Sequence, residues 1–115
     1  MALQDLTRRG IKINKLNEDS VERLSIMIEL LTIIWNCKYS DAFMTIENTK
    51  VYNNILVGDY GTTYESPQSN VSRIGEELRH NGNKLGNIVT DENIRLAVLS
   101  IRNRNLNSRN SKYNA

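Results

Sequence analysis

Cys37 and His80 are the two side chains of this 115-residue chain most suited to nucleophilic or acid–base chemistry, and each is the only one of its kind. A Cys–His or Ser–His–Asp site would have to use His80. That residue falls beside "NG" at the end of a helical stretch, where it reads as an exposed last-turn histidine favoured by the helix dipole. Cys37 follows Trp35 and Asn36 at the end of the most apolar segment and reads as a buried structural cysteine, not a nucleophile. A single cysteine forms no intramolecular disulfide, and neither CxxC nor HxxxH spacing is present to frame a zinc site. The carboxylates of Glu76–Glu77 and Asp91–Glu92 come in adjacent pairs. Neighbours on a helix point about 100° apart, so such pairs do not share a proton as a catalytic dyad does. Glu76 and Glu77 read as a solvated face, Asp91 and Glu92 as first-turn helix charges. The glycines of "VGDYG" and "NGNKLG" fit neither GxxxxGK[ST] nor GxGxxG. The expectation is a protein that is not an enzyme and uses no cofactor or metal.

Two features suit binding instead. The first is the basic C-terminal segment, with Arg95, Arg102, Arg104, Arg109 and Lys112, and no acid after Glu92. Arg95 and Arg102 are seven residues apart and share a helical face. Such a strip can contact phosphates, with an affinity that falls steeply in salt. It matches no recognisable DNA-binding motif, and the plainer reading is a solubilising tail. The second is the loop within "YNNILVGDYGTTYESPQ", residues 52–68, which holds three of the five tyrosines and the only proline. Tyr60 and Tyr64 flank "GTT", with Asp59 and Glu65 on the shoulders. Tyrosine gives large amphipathic contact area at low entropy cost, which suits a partner-binding surface. The structural alternative is a tyrosine lid over a helix junction, with Gly58 and Gly61 supplying turn conformations.

Charge is segregated along the chain. Residues 1–16 carry four basic and one acidic side chain (+3), residues 17–78 four and ten (−6), and residues 79–115 seven and two (+5). An acidic middle thus lies between basic ends. The apolar run from Leu24 to Trp35 is interrupted by Glu29 and is too short to span a bilayer. The N-terminal basic residues are not followed by the apolar run of a signal peptide. With one cysteine, a reducing cytoplasm is the expected location.

The elements that must position these residues read as helices. Asp19 with Glu22 resembles a capping box, and Val21, Leu24, Met27/Ile28, Leu31 and Ile34/Trp35 form one face of a helix over residues 20–36. Further isoleucines widen that face, which marks the helix as the central, buried one. Ser40 opens a second helix with Ala42, Phe43 and Ile46 inward, and Val51, Tyr52 and Ile55 lie at helical spacing in a third. Ser66 and Pro67 are an N-cap and first-turn pair for a helix carrying Val71, Ile74 and Leu78, and "HNG" supplies its left-handed stop. "NGNKLGN" reads as a flexible turn. Thr90, Asp91 and Glu92 open a last helix whose stripe is Ile94, Ala97, Val98 and Ile101, with Leu96 and Leu99 off it. Residues 1–16 alternate enough in "GIKINKL" to suit a short strand, and equally a helix followed by an arm. The organisation expected is an N-terminal arm (1–16), a helical domain (17–101) and a basic tail (102–115) that frays. The fold class is all-α, a compact bundle of four to five helices with a partly disordered C-terminal tail.

The run "AFMTIENTKVYNNILVGDYGTTYESPQSNVSRIGEEL", residues 42–78, resembles a family of short helical proteins of bacteria and mobile elements, some of them encoded near toxin–antitoxin modules. Asn48, Tyr52, Ile55, Leu56, Thr62, Tyr64, Ser66, Pro67, Glu76, Glu77 and Leu78 carry the resemblance. Asn70 and Val71 depart from it, where an aromatic or aliphatic pair is expected, and the basic segment after residue 85 lies outside it. The resemblance implies a helical protein without catalytic residues of its own, in which Tyr52, Tyr64 and Pro67 define the fold. The function expected is non-catalytic protein binding of the antitoxin or inhibitor type, in a bacterial, phage or plasmid setting, by a monomer or homodimer. The alternative, from a different class, is a small nucleic-acid-binding accessory factor that uses the basic C-terminal segment.

Overall fold

Apolar side chains recur on every turn between residues 21 and 35, and around them the chain assembles. The computed structural model describes residues 18–58 and 65–113, with side chains for 20–58 and 65–105. The arm assigned to residues 1–16 lies outside the described residues. Within them the order is α1 (Glu18–Trp35), α2 (Tyr39–Ile46), α3 (Lys50–Val57), α4 (Pro67–His80), a short 3-10 turn (Lys84–Ile88) and α5 (Asp91–Tyr113). These described residues contain five α-helices and no strand, the all-α bundle expected.

α1 is the hub, packing against α2, α4, α5 and the 3-10 turn. Leu24, Met27, Ile28, Leu30 and Leu31 are buried on it, while Ile33, Ile34 and Trp35 lie half-buried at its C-terminal end. α1 starts at Glu18, so Asp19 lies inside the first turn and is not its N-cap. Its end is a left-handed stop. Asn36 takes φ 50°, its N–H donates to the Ile33 carbonyl, and the Cys37 N–H donates to the Thr32 carbonyl at 3.1 Å. That pair of bonds satisfies carbonyls which a helix end leaves open, and asparagine tolerates the conformation better than most residues.

α2 begins at Tyr39, one residue before the expected Ser40, with Lys38 extended at the N-cap and no side chain capping it. Tyr39 packs against the core, so burial sets this start. Ala42, Phe43 and Ile46 face inward as expected, and the Phe43 ring meets Tyr52 of α3 edge-on, with centroids 5.7 Å apart. Thr49 joins the two helices: its hydroxyl donates to the Ile46 carbonyl at 2.6 Å and accepts from the Tyr52 N–H at 3.2 Å. At the head of α4 the Ser66 hydroxyl accepts from the Ser69 N–H at 3.1 Å, and Pro67 occupies the first turn. Gly82, at φ 78°, ends the helix, with the Asn83 N–H donating to the Leu78 carbonyl at 2.8 Å.

The segment expected as a flexible turn is a structured 3-10 turn laid against α4. A Cβ on Gly86 would stand 2.6 Å from both the Arg79 nitrogen and the Gly75 carbonyl oxygen, so glycine is what lets the two backbones touch. The Arg79 guanidinium then donates to the Gly86 and Val89 carbonyls at 2.7 and 3.1 Å, and the Trp35 indole donates to the Leu85 carbonyl at 2.9 Å. Thr90 follows directly and caps α5, its hydroxyl accepting from the Asn93 N–H at 3.1 Å. Ile94 and Ala97 of α5 are buried, and Val98 and Ile101 pack half-buried beside them. The residues set apart in the sequence as a tail continue the α5 backbone as far as Tyr113.

Two substitutions test this arrangement. Leu31→Ala, at a site with 0% exposure, is expected to lower unfolding stability by about 2–5 kcal/mol, and Ile34→Ala by clearly less, in chemical denaturation. Gly86→Ala forces a methyl group against backbone that cannot rotate aside; a loss of roughly 1–3 kcal/mol or more is expected in the same measurement. Wild-type stability in Gly86→Ala would show that the turn is not held at this distance.

Candidate functional site

Carboxylates singled out for their spacing turn out to hold helices together. Glu77 receives the Lys50 N–H on both carboxylate oxygens, at 2.9 and 2.8 Å, and so closes the N-terminus of α3 from α4. It is thus an inter-helix cap and not part of a purely solvated face; Glu76 beside it is exposed. A carboxylate suits that place because the first N–H groups of a helix lack internal acceptors and carry partial positive charge. Glu65 does similar work before α4. Its carboxylate accepts from the Ser69 hydroxyl at 2.7 Å and pairs with the Arg73 guanidinium, and its carbonyl accepts from Arg23 of α1 at 3.4 Å. Of the expected partner-binding set, Glu65 is therefore engaged in positioning α4, while Asp59, Tyr60 and Tyr64 lie outside the described residues.

Cys37 sits half-buried just past α1. Burial pushes its thiol up, and the nearby Asp41 charge adds to that, so thiolate formation is suppressed. His80 is exposed at the end of α4. Among the described residues there is no group of three or more His, Cys, Asp or Glu side chains placed to hold a metal, and no helix long and apolar enough to cross a membrane.

The basic strip is partly neutralised where it stands. Arg95 pairs with Glu92 one turn earlier at 2.5 Å, and Arg104 pairs with Glu29 of α1 at 3.0 Å. The Arg95 hydrogen bond, followed by its charge, holds the Glu92 carboxyl below the usual carboxylate range. Arg102 is exposed and makes no ion pair among the described residues. The side chains of Arg109 and Lys112 lie outside the described residues.

What the sequence reading did not assemble is a pair of grooves, one on each flank of α5. The first, of about 320 Å³, is lined by Ile33 and Ile34 of α1, Ile88 of the 3-10 turn, and Asn93, Leu96 and Ala97 of α5. Leu96 is 49% exposed and Ile88 42%. The second, of about 360 Å³, runs between Gln68 at the start of α4 and Ile94, Arg95, Val98, Leu99 and Arg102 of α5, with Asp91 at its end. The one sequence signal for either was the placement of Leu96 and Leu99 off the buried stripe; the opposing walls come from distant segments. Comparison with protein-family models, curated proteins and solved structures finds no match.

The Glu77 contact can be measured directly. Glu77→Ala is expected to cost about 0.5–2 kcal/mol of stability, the range for losing a helix cap, whereas Glu76→Ala should stay within a few tenths. Equal effects in paired denaturation curves would remove the special role of Glu77.

Proposed function

We propose that this chain is a non-catalytic protein-binding module that acts on another protein in the manner of an antitoxin or inhibitor, in the cytoplasm of a bacterial, phage or plasmid host system. The observation that carries the reading is the split surface of α5. The helix buries a narrow stripe of Ile94 and Ala97 and leaves Leu96 and Leu99 exposed on opposite flanks, each on the wall of a groove. Exposed apolar side chains gathered at concave surfaces lower free energy when a partner covers them, whereas scattered single ones carry no such meaning. Val57 adds to this: it is 78% exposed at the end of α3, immediately before the segment that carries Tyr60 and Tyr64. Those two tyrosines belong to the proposed contact surface. The antitoxin- or inhibitor-type part of the proposal comes from the resemblance of residues 42–78 to short helical proteins, some of them encoded near toxin–antitoxin modules. A phosphate-binding role for the basic segment draws less support, because it would leave the exposed Leu96 and Leu99 on the groove walls uncovered.

The test is capture of partner proteins from bacterial lysate on the immobilised full chain, read by mass spectrometry against a mock surface. Wild type should retain a defined protein, and Leu96→Asp, or Tyr60→Ala with Tyr64→Ala, should retain at least tenfold less while melting like wild type. Retention of nothing above the mock surface would sink the reading.

A further inference from the structure

We infer that the groove between α4 and α5 is a docking site for an acidic amphipathic helix of a partner protein. The inference rests on the protein-binding reading above and names the chemistry of the partner at one site. Along the flank of α5 that faces Gln68, Arg95, Leu99 and Arg102 follow one another at spacings of four and three residues, which puts them on one helical face. Leu99 is 39% exposed, and Ile94 and Val98 lie deeper beside it, so the groove has an apolar floor with a guanidinium one turn to either side of its central leucine. The seven-residue spacing recurs in the sequence at Leu106, Arg109 and Tyr113, all within the α5 helical backbone. A repeat of seven residues is the spacing at which one helix lies along another, with the apolar positions meeting and the flanking charges choosing the partner.

The charges specify that partner. Arg102 has no ion pair among the described residues, and no acidic residue follows Glu92 in the chain. The Arg95–Glu92 pair is exposed on both sides, 59% and 63%, so water already competes for it and a partner carboxylate can take its place. A helix bearing leucines that cover Leu99, with Glu or Asp spaced seven apart to meet Arg95 and Arg102, satisfies both the floor and the rim. A nucleic-acid duplex fits less well. Its phosphates could meet the two arginines but would leave Leu99 and Val98 uncovered.

The experiment uses the full chain and three synthetic probes at low salt: a 21-residue heptad peptide with Leu at the a and d positions and Glu at e and g, its counterpart with Lys in place of Glu, and a 20-base-pair DNA duplex. Titration calorimetry or fluorescence anisotropy should show the Glu peptide binding at least tenfold more tightly than the Lys peptide, with affinity falling as salt rises. Leu99→Asp should lower that affinity at least tenfold, and Arg95→Glu with Arg102→Glu should reverse the preference towards the Lys peptide. All three positions are at the surface, and melting curves confirm folding; Arg95→Gln with Arg102→Gln serves as a milder variant that should lose the preference without reversing it. Equal binding of the two peptides, or binding indifferent to these variants, would overturn the inference. So would duplex binding abolished by the arginine variants but untouched by Leu99→Asp. In the lysate capture, a partner retained equally by wild type and by the Arg95→Glu, Arg102→Glu chain rules out this groove while leaving protein binding in place. A wild type that retains nothing removes the broader reading instead.

Discussion

At Gly75 and Gly86, α4 and the turn that follows it meet backbone to backbone, and the placement of the last helix depends on that contact. With no Cβ on either residue, the 3-10 turn comes close enough for the Arg79 guanidinium to reach the Gly86 carbonyl within it and the Val89 carbonyl just after it. The Gly86 carbonyl also accepts from the Val89 N–H at 3.2 Å, so the guanidinium is a second donor there and ties the turn to α4. Trp35 takes a third carbonyl, that of Leu85, from the end of α1. Val89 is thereby held at 2% exposure, and Thr90, the next residue, caps α5. A five-residue turn thus sets both where α5 begins and which of its faces meets α1. The groove beneath Leu96 follows from the same placement, because Ile88 of the turn forms one wall and Ile33 and Ile34 of α1 another.

The remaining order comes from helix ends tied to their neighbours. α3 has eight residues, too few to be stable alone in water. Its N-terminus is closed twice, by the Thr49 hydroxyl on the Tyr52 N–H and by the Glu77 carboxylate on the Lys50 N–H. The second closure binds α3 to α4, so burial of Val51, Tyr52 and Ile55 and satisfaction of the helix end are achieved by one docking event. Glu65 does the equivalent for α4, holding Ser69 and Arg73 of its first two turns while its carbonyl meets Arg23 of α1.

Local signals explain what could be read from the sequence. The inward sets Ala42, Phe43 and Ile46, then Val51, Tyr52 and Ile55, then Val71, Ile74 and Leu78 are each fixed by spacing within a single helix, and all of them are buried. Ser66 with Pro67, Thr90, and the stop at Gly82 were legible for the same reason, since caps act within a few residues. What escaped depends on partners far away in the chain. Glu77 finds Lys50 across 27 residues, Trp35 finds Leu85 across 50, and Arg104 finds Glu29 across 75. No periodicity announces such pairs. "NGNKLGN" looked flexible because its two glycines are permissive in isolation, whereas in the fold Gly82 ends α4 and Gly86 serves the close approach to Gly75. At the candidate site, Leu96 and Leu99 could be placed off the stripe, but the walls opposite them could not be.

Folding also redistributes the charge that the sequence segregates. The acidic middle and the basic end are brought together at Glu29–Arg104, so the surface field is weaker than the −6 and +5 of the separated segments suggests. Exposed pairs of this kind contribute little to stability. Their consequence is selective: they occupy some cations and leave others. Two flanks of the same helix then differ in chemistry. The side of Leu96 faces aliphatic residues and Asn93, while the side of Leu99 carries Arg102, which has no ion pair among the described residues. Because α5 buries only the narrow stripe through Ile94 and Ala97, both flanks remain open to solvent. A broader apolar face on α5 would have closed them against α1 and α4. The narrowness of that stripe is therefore what leaves a groove of different character on each flank of α5.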